Sequence, residues 1–318
     1  MGTLLDASFI CGLLASGVRM ATPLLLAALG ETIAERSGVL NIGVEGIMIT
    51  GALAGFLAGH FTGNQWLGAM AGCAAGALLS SIHAYLSTSL GADQVVSGLA
   101  INLLALGLAV FSFRAAFGIP ASDPRAPTFE SVSIPLLAAI PFLGTIFFKH
   151  HIWVYLSWLL VPACYVALFK TAWGLKLTAA GENPVAAEAA GINVRKIRFC
   201  AVLLGGALGG LGGMVLSLGQ MGFFKEVMVS GRGFIAIAIV MFGRWNPVGV
   251  LVIALLFGVA DSLQLRLQTL GMDHYLPTQL LVSLPYLLTL IALLSRSGKK
   301  NPIPKAMAVP FKGSEDRD

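Results

Sequence analysis

Long apolar runs, separated by short polar breaks, dictate what this chain can fold into. A membrane span needs ~20 mostly apolar residues. Runs of that kind cover residues 8–29, 39–59, 66–90, 95–113, 152–169, 199–220, 248–265 and 277–294. One more, 234–243, is short and reaches spanning length only if it starts near Val227. Backbone in lipid must satisfy its own hydrogen bonds, so each run is expected to be a helix. The fold class is therefore all-α: a polytopic membrane helix bundle of about nine transmembrane helices, roughly eight to ten. Charged residues make up only 11% of the chain, against about 25% in soluble domains. The 38 glycines fit the same class, because small residues let membrane helices approach closely. Residues 134–148 are apolar but short and interrupted by Pro135 and Pro141, which suits an interfacial or re-entrant segment. Sequence alone leaves open whether 134–148 and 227–243 cross fully.

Residues 1–295 then form the transmembrane domain. Residues 296–318 are charged, carry Pro302, Pro304 and Pro310, and are expected to be a loosely ordered cytoplasmic tail. Cations set the orientation. With the tail and the stretch 170–198 inside, nine alternating spans put Arg36, Lys170, Lys176, Arg195, Lys196, Arg198, Arg244 and six tail cations on the cytoplasmic side. Arg114, Arg125, Lys149, Lys225, Arg232 and Arg266 fall outside. This excess has the sign of the positive-inside rule and places the N-terminus outside. A faint repeat pairs residues 29–54 with 229–254, each a glycine-bounded polar break ahead of a glycine-rich run.

Several function classes drop out. The net charge of +5 comes from loops and tail without a basic stripe interleaved with aromatics, so nucleic acid is not an expected partner. Cys11, Cys73, Cys164 and Cys200 sit singly in apolar runs and read as free thiols. No basic region precedes the first apolar run, which argues against a cleaved signal peptide. The glycine cluster from Gly205 to Gly213 lacks the lysine of a phosphate-binding loop and suits close helix packing. His150 and His151 are adjacent, so on a helix they point two ways and suit an interface better than a metal. No catalytic residue, metal or bound cofactor is expected.

The most informative polar stretch is 170–198, KTAWGLKLTAAGENPVAAEAAGINVRKIR. Asn183 can cap a helix start, and Pro184 fits the first helical position, where no amide donor is needed. Alanine dominates 185–190, and Gly191 supplies a left-handed stop. Such a helix is only about 10 Å long. It cannot span a bilayer, and its smooth alanine surface suits insertion into a groove on another protein. The plainer alternative is an ordinary loop with one helical turn.

Residues 181–192, GENPVAAEAAGI, resemble the cytoplasmic coupling segment of ABC-importer permeases, with Glu188, Ala189, Ala190 and Gly191 at its Glu-Ala-Ala and glycine positions. The glycine comes earlier than in the maltose-type version. Residues 29–52 (LGETIAERSGVLNIGVEGIMITGA), 92–102 (ADQVVSGLAIN) and 234–249 (FIAIAIVMFGRWNPVG) extend the likeness. Together they resemble the branched-chain amino acid, ribose and nucleoside branch, and most of all the smaller permease subunit of nucleoside or simple-sugar importers. The resemblance implies that Asn183, Pro184, Glu188, Ala189, Ala190 and Gly191 couple to an ATPase. It also implies a separate ATP-binding subunit, a second homologous permease, an extracytoplasmic substrate-binding protein and a place in the bacterial inner membrane. Nucleosides are the favoured substrate and ribose-like sugars the alternative. An ion-coupled secondary transporter is a third reading, and a membrane enzyme finds no acid–base constellation to support it.

Polar residues inside apolar spans are costly and tend to face the bundle interior. Asn41, Glu45, Gln94, Asn102, Gln220, Asp261 and Gln264 are the candidates for a substrate path. Asn41 and Glu45 would share one helical face, as would Asp261 and Gln264. The competing role is hydrogen bonding between helices. Glu31, Glu35 and Arg36 are expected to form an ion-pair cluster that shapes a cytoplasmic turn.

Overall fold

The structure, a computed structural model, describes residues 7–120, 122–135, 137–270 and 303–311, with Ser283 and Leu287. The helices in chain order are α1 (Ala7–Arg36), α2 (Val44–Thr62), α3 (Gln65–Thr88) and α4 (Gln94–Phe117). The short α5 (Leu143–Phe147), α6 (Ile152–Lys170), α7 (Ala172–Glu182) and α8 (Pro184–Ala189) follow. Then come α9 (Val194–Met214), continued by a π-helical stretch over Val215–Met221, α10 (Arg232–Gly243) and α11 (Pro247–Thr269). Seven of these are long and apolar enough to cross a membrane: α1 to α4, α6, α9 with its extension, and α11. The predicted span at 277–294 lies, apart from Ser283 and Leu287, outside the described residues.

Helix α9 is the axis. It packs against α1, α2 and α3 together, and the glycine cluster explains how. A Cβ on Gly206 would collide with the Ser80 side chain, and one on Gly213 with the Met48 carbonyl. Backbones in contact gain van der Waals packing that lipid chains cannot supply. The cluster is a packing device, as expected.

The bundle has two ends. One carries α7, α8, Arg36 and Trp245. The other carries a two-stranded antiparallel pair, β1 (Ser131–Ser133) with β2 (Lys149–His151), in the register Ser133↔Lys149. That pairing brings both ends of 134–148 to one place, so the segment does not cross. Among its described residues it holds a 3-10 turn and the five-residue α5.

Helix α10 starts at Arg232, not near Val227, and its 12 residues reach only ~18 Å. The stretch nevertheless reaches from one end of the bundle to the other. Gly222, just after the extension of α9, accepts from the Ala126 amide at the β1–β2 end (2.9 Å). Non-helical residues 223–231 then run inward to the start of α10. Its far end delivers Trp245 to the α8 end, where the Trp245 carbonyl accepts from Arg36 Nε (2.7 Å). One half of this span is irregular and the other half helical, a pattern tolerated only where protein surrounds it.

Three further expectations change. Helix α1 runs on to Arg36 instead of ending at Leu29. Helix α2 begins at Val44, so residues 37–43 are a non-helical break and Asn41 shares no helical face with Glu45. The tail is not loose throughout, because 303–311 is packed: Ala306 and Phe311 are buried, and the Ala306 amide donates to the Gly181 carbonyl (2.9 Å).

Candidate functional site: a capped surface helix above a buried backbone break

Helix α8 carries its own punctuation. Asn183 Oδ1 accepts from the Ala186 amide (3.1 Å), and Pro184 takes the first helical position. At the other end Gly191 adopts φ +78°, where a Cβ would be strained. Its amide donates to the Glu188 carbonyl (2.9 Å) and the Ile192 amide to that of Ala187 (3.0 Å), the two bonds of a Schellman stop. Ala187 is buried with Ala180, Val194 and Phe311. Val185, Ala186, Ala189 and Ala190 are exposed. The helix therefore buries Ala187, keeps Pro184 and Glu188 half-buried and offers its other residues outward. Helix α7, which leads into it from α6, was not anticipated; the Thr171 hydroxyl caps its start by accepting from the Gly174 amide (3.2 Å).

Beneath this end lies the 37–43 break. Its backbone groups are buried among helices and need partners from elsewhere. Gln94 Oε1 accepts from the Leu40 amide (2.8 Å), and the Leu40 carbonyl meets His83 Nε2 (3.1 Å). Glu31 Oε1 accepts from the Asn41 amide (2.9 Å), and Asn41 Oδ1 from the Gly43 amide (3.0 Å). Asn102 closes the set by donating Nδ2 to the Ile42 carbonyl (2.9 Å) and accepting the Gly46 amide at Oδ1 (2.7 Å). The structure thus brings together Asn41, Gln94 and Asn102, with Glu31 and His83, around one stretch of irregular backbone.

Glu45, in the first turn of α2, faces another way. Its Oε1 accepts from the Gly231 amide (2.8 Å) and its Oε2 from the Gly233 amide (2.7 Å). A carboxylate at a helix N-terminus satisfies orphan amides and complements the dipole. Glu45 is the cap of the half-span α10. Arg232, the first residue of α10, lies 3.9 Å from Asp261 Oδ2 on α11, and Gln264 is half-buried one turn further on. Gln220 is separate from all of these. Its Nε2 donates to the Arg19 carbonyl (2.8 Å), and it borders a hollow of about 210 Å³ lined also by Ser16, Arg19, Met20 and Gly219.

The expected cluster of Glu31, Glu35 and Arg36 is not an ion-pair network. Both carboxylates are fully buried and serve neutral donors: Glu31 the Asn41 amide, Glu35 the Trp245 indole. Arg36 instead binds the Trp245 carbonyl and lies over the Phe169 ring at 4.3 Å. Sequence reasoning also missed His83, Trp245 and the role of Arg198. His150 and His151 are the last two residues of β2 at the far end. Burial pushes both below the ordinary imidazole range, His151 to about 4 with the His150 and Arg19 charges adding, so His151 is neutral at pH 7. Among the described residues no group of three or more His, Cys, Asp or Glu could hold a metal.

Comparison with known proteins agrees with this architecture. A family model described as branched-chain amino acid transport system / permease component matches residues 13–293. The guanosine ABC transporter permease protein NupQ of Bacillus subtilis is 42% identical over 300 residues, which cover 92% of this chain and 93% of that one. The nucleoside ABC transporter permease protein NupC of Lactococcus lactis is 36% identical over 301 residues, 92% and 93% of the two chains. The putative glucose ABC transporter permease protein TsgC13 of Haloferax volcanii is 43% identical over 269 residues, 83% and 80% of the two. No solved structure matches the chain. A glycine-packed bundle of membrane-spanning helices, with a capped helix between α7 and α9 and a family match over nearly its whole length, makes this chain a member of the branched-chain amino acid transport system permease family.

Proposed function

We propose that this chain is one of two homologous permease subunits in an ATP-binding cassette importer of nucleosides, purine nucleosides first. ATP is bound by a separate subunit, and an extracytoplasmic binding protein delivers the substrate. The α8 end faces the cytoplasm and the N-terminus lies outside, in a bacterial inner membrane. The observation that carries the reading is α8: a self-capped helix, exposed at Val185, Ala186, Ala189 and Ala190 and buried at Ala187. It is too small to add to the core and shaped to enter a partner's groove. Closure of the ATPase presses on α8, tilts α7 and α9, and opens the path to one side at a time. Glu45, Gln220, Asp261 and Gln264 border that path, while Asn41, Gln94 and Asn102 hold the break that shapes it. The names of the guanosine and nucleoside relatives support the choice of substrate.

The test is Ala189→Trp, which puts bulk on the exposed face of α8. In cells whose only copy is the variant, uptake of labelled guanosine is expected to vanish while the protein stays at wild-type level in the membrane. Normal uptake would remove α8 from the mechanism. A second reading, transport of a simple sugar, is favoured by the likeness to the putative glucose permease. Unlabelled ribose or glucose that competes with guanosine for entry would favour it.

A further inference from the structure

The loop cation Arg198 and the end of the chain meet at α8. Arg198 sits in the first turns of α9 and is only 1% exposed. Its guanidinium donates to three carbonyls from three separate segments: Ser37 from Nε (3.0 Å), Ala180 from Nη2 (3.2 Å) and Val309 from Nη1 (3.2 Å). Those segments are the break, the end of α7 and the C-terminal stretch. The C-terminal stretch makes two backbone bonds of its own. The Ala306 amide donates to the Gly181 carbonyl (2.9 Å) and the Ala308 amide to the Gly38 carbonyl (3.1 Å). Phe311 then packs with Ala180, Ala187 and Val194 under α8, and Arg198 lies 5.8 Å from its ring.

We propose that residues 303–311, clamped by Arg198, form a strap that carries the movement of α8 into the 37–43 break. This rests on reading α8 as the ATPase contact. A planar fork with several donors in fixed directions holds three carbonyls at set positions, which a flexible ammonium does not. The strap bridges both sides of the joint: 180–181 leads into α8, and 37–38 leads into the break. Beyond Gly38 the break runs directly into α2, and side chains of α1, α3 and α4 brace it at Leu40, Asn41 and Ile42, while Glu45 in the first turn of α2 holds the start of α10. A break braced in this way shifts together with α1, α3 and α4, so a pull on Gly38 acts on those helices and on the start of α10 as one body. A tail that merely covered the end of the bundle would need neither the buried guanidinium nor backbone bonds to both sides of the joint.

The experiment uses the assembled importer, purified from its native host and reconstituted in liposomes. Nucleoside uptake and ATP hydrolysis are measured in the same vesicles for three variants: a chain ending after residue 302, Phe311→Ala and Arg198→Lys. Hydrolysis is expected to stay within about two-fold of wild type. Uptake per ATP should fall about tenfold for the truncation and about three-fold for each point variant, the range in which residues along a coupled network act. A wild-type ratio in the truncated chain, or uptake and hydrolysis falling in parallel, overturns the strap. Should the truncated chain fail to assemble, Phe311→Ala and Arg198→Lys decide alone, and a wild-type ratio in both overturns it. Ala189→Trp run alongside separates the two ideas. If it abolishes uptake while the strap variants keep their ratio, α8 stands and the strap falls. If it leaves uptake intact, both fall.

Discussion

Helix α8 and the 37–43 break are both short polar interruptions of an apolar chain, and they are stabilised in opposite ways. Every cap of α8 lies within a few residues of it: Asn183 before, Ala190, Gly191 and Ile192 after. The break is held from afar, by side chains 10, 43, 54 and 60 positions away in sequence. The difference follows from solvent. An exposed helix end can borrow water for whatever its caps leave unpaired. Buried irregular backbone cannot, and an orphaned group there costs about 1–3 kcal/mol. So the exposed element stays self-contained and free to be pushed as a unit, while the buried one is fixed to α1, α3 and α4.

The sharpest way to break this contrast is Asn102→Ala. It strips the partner from both the Gly46 amide and the Ile42 carbonyl, and two unpaired groups should cost about 2–6 kcal/mol. The loss is read as a lower melting temperature in detergent. Asn102→Asp keeps the acceptor but sets a carboxylate against the Ile42 carbonyl, so it should lose at least as much. A melting temperature unmoved by either change would mean that the break is not held by side chains at all. Glu45 comes next. Glu45→Ala leaves the Gly231 and Gly233 amides unpaired, at about 2–3 kcal/mol for the charge-assisted pair. Glu45→Gln, with one acceptor oxygen in place of two, should fall between that and wild type. If Glu45 also borders the path, Gln alters uptake kinetics beyond its small effect on stability. Unchanged kinetics in both variants would leave Glu45 as a cap and nothing more.

The same contrast explains which parts were legible beforehand. The glycine packing and every cap of α8 are local signals, and the structure has them where the residues put them; the apolar runs locate seven long helices but not where α1 ends or α2 begins. The continuation of α1 to Arg36 was hidden because Glu31 and Glu35 look like the end of a hydrophobic run. They are tolerated inside only because the Asn41 amide and the Trp245 indole reach them, and no spacing rule announces a donor 210 positions away. Asn41, Gln94 and Asn102 were recognisable as inward-facing, yet their common target, the backbone between 40 and 46, appears only in three dimensions. Arg198 read as one basic residue among several in a loop. Its burial depends on three carbonyls that converge from distant parts of the chain. Charge and proline content mark the tail as loose and are blind to the backbone bonds at Ala306 and Ala308.

The smallest expected effect tests the other half of the contrast, that α8 owes its order to its own ends. Asn183→Ala removes the acceptor for the Ala186 amide, and an N-cap of this kind is worth about 1 kcal/mol. Because α8 lies on the surface, the melting temperature of the whole bundle should barely move. The cost should appear locally, as faster hydrogen exchange at Ala190, Gly191 and Ile192, whose amides close the helix. A penalty of about 1 kcal/mol corresponds to roughly five-fold faster exchange. Asn183→Asp, which keeps the acceptor, should restore protection. If Asn183→Ala changes nothing, then Ala187, wedged against Ala180, Val194 and Phe311, is what holds the helix. In that case Phe311→Ala should loosen it instead, and α8 would be stabilised from a distance just as the break is.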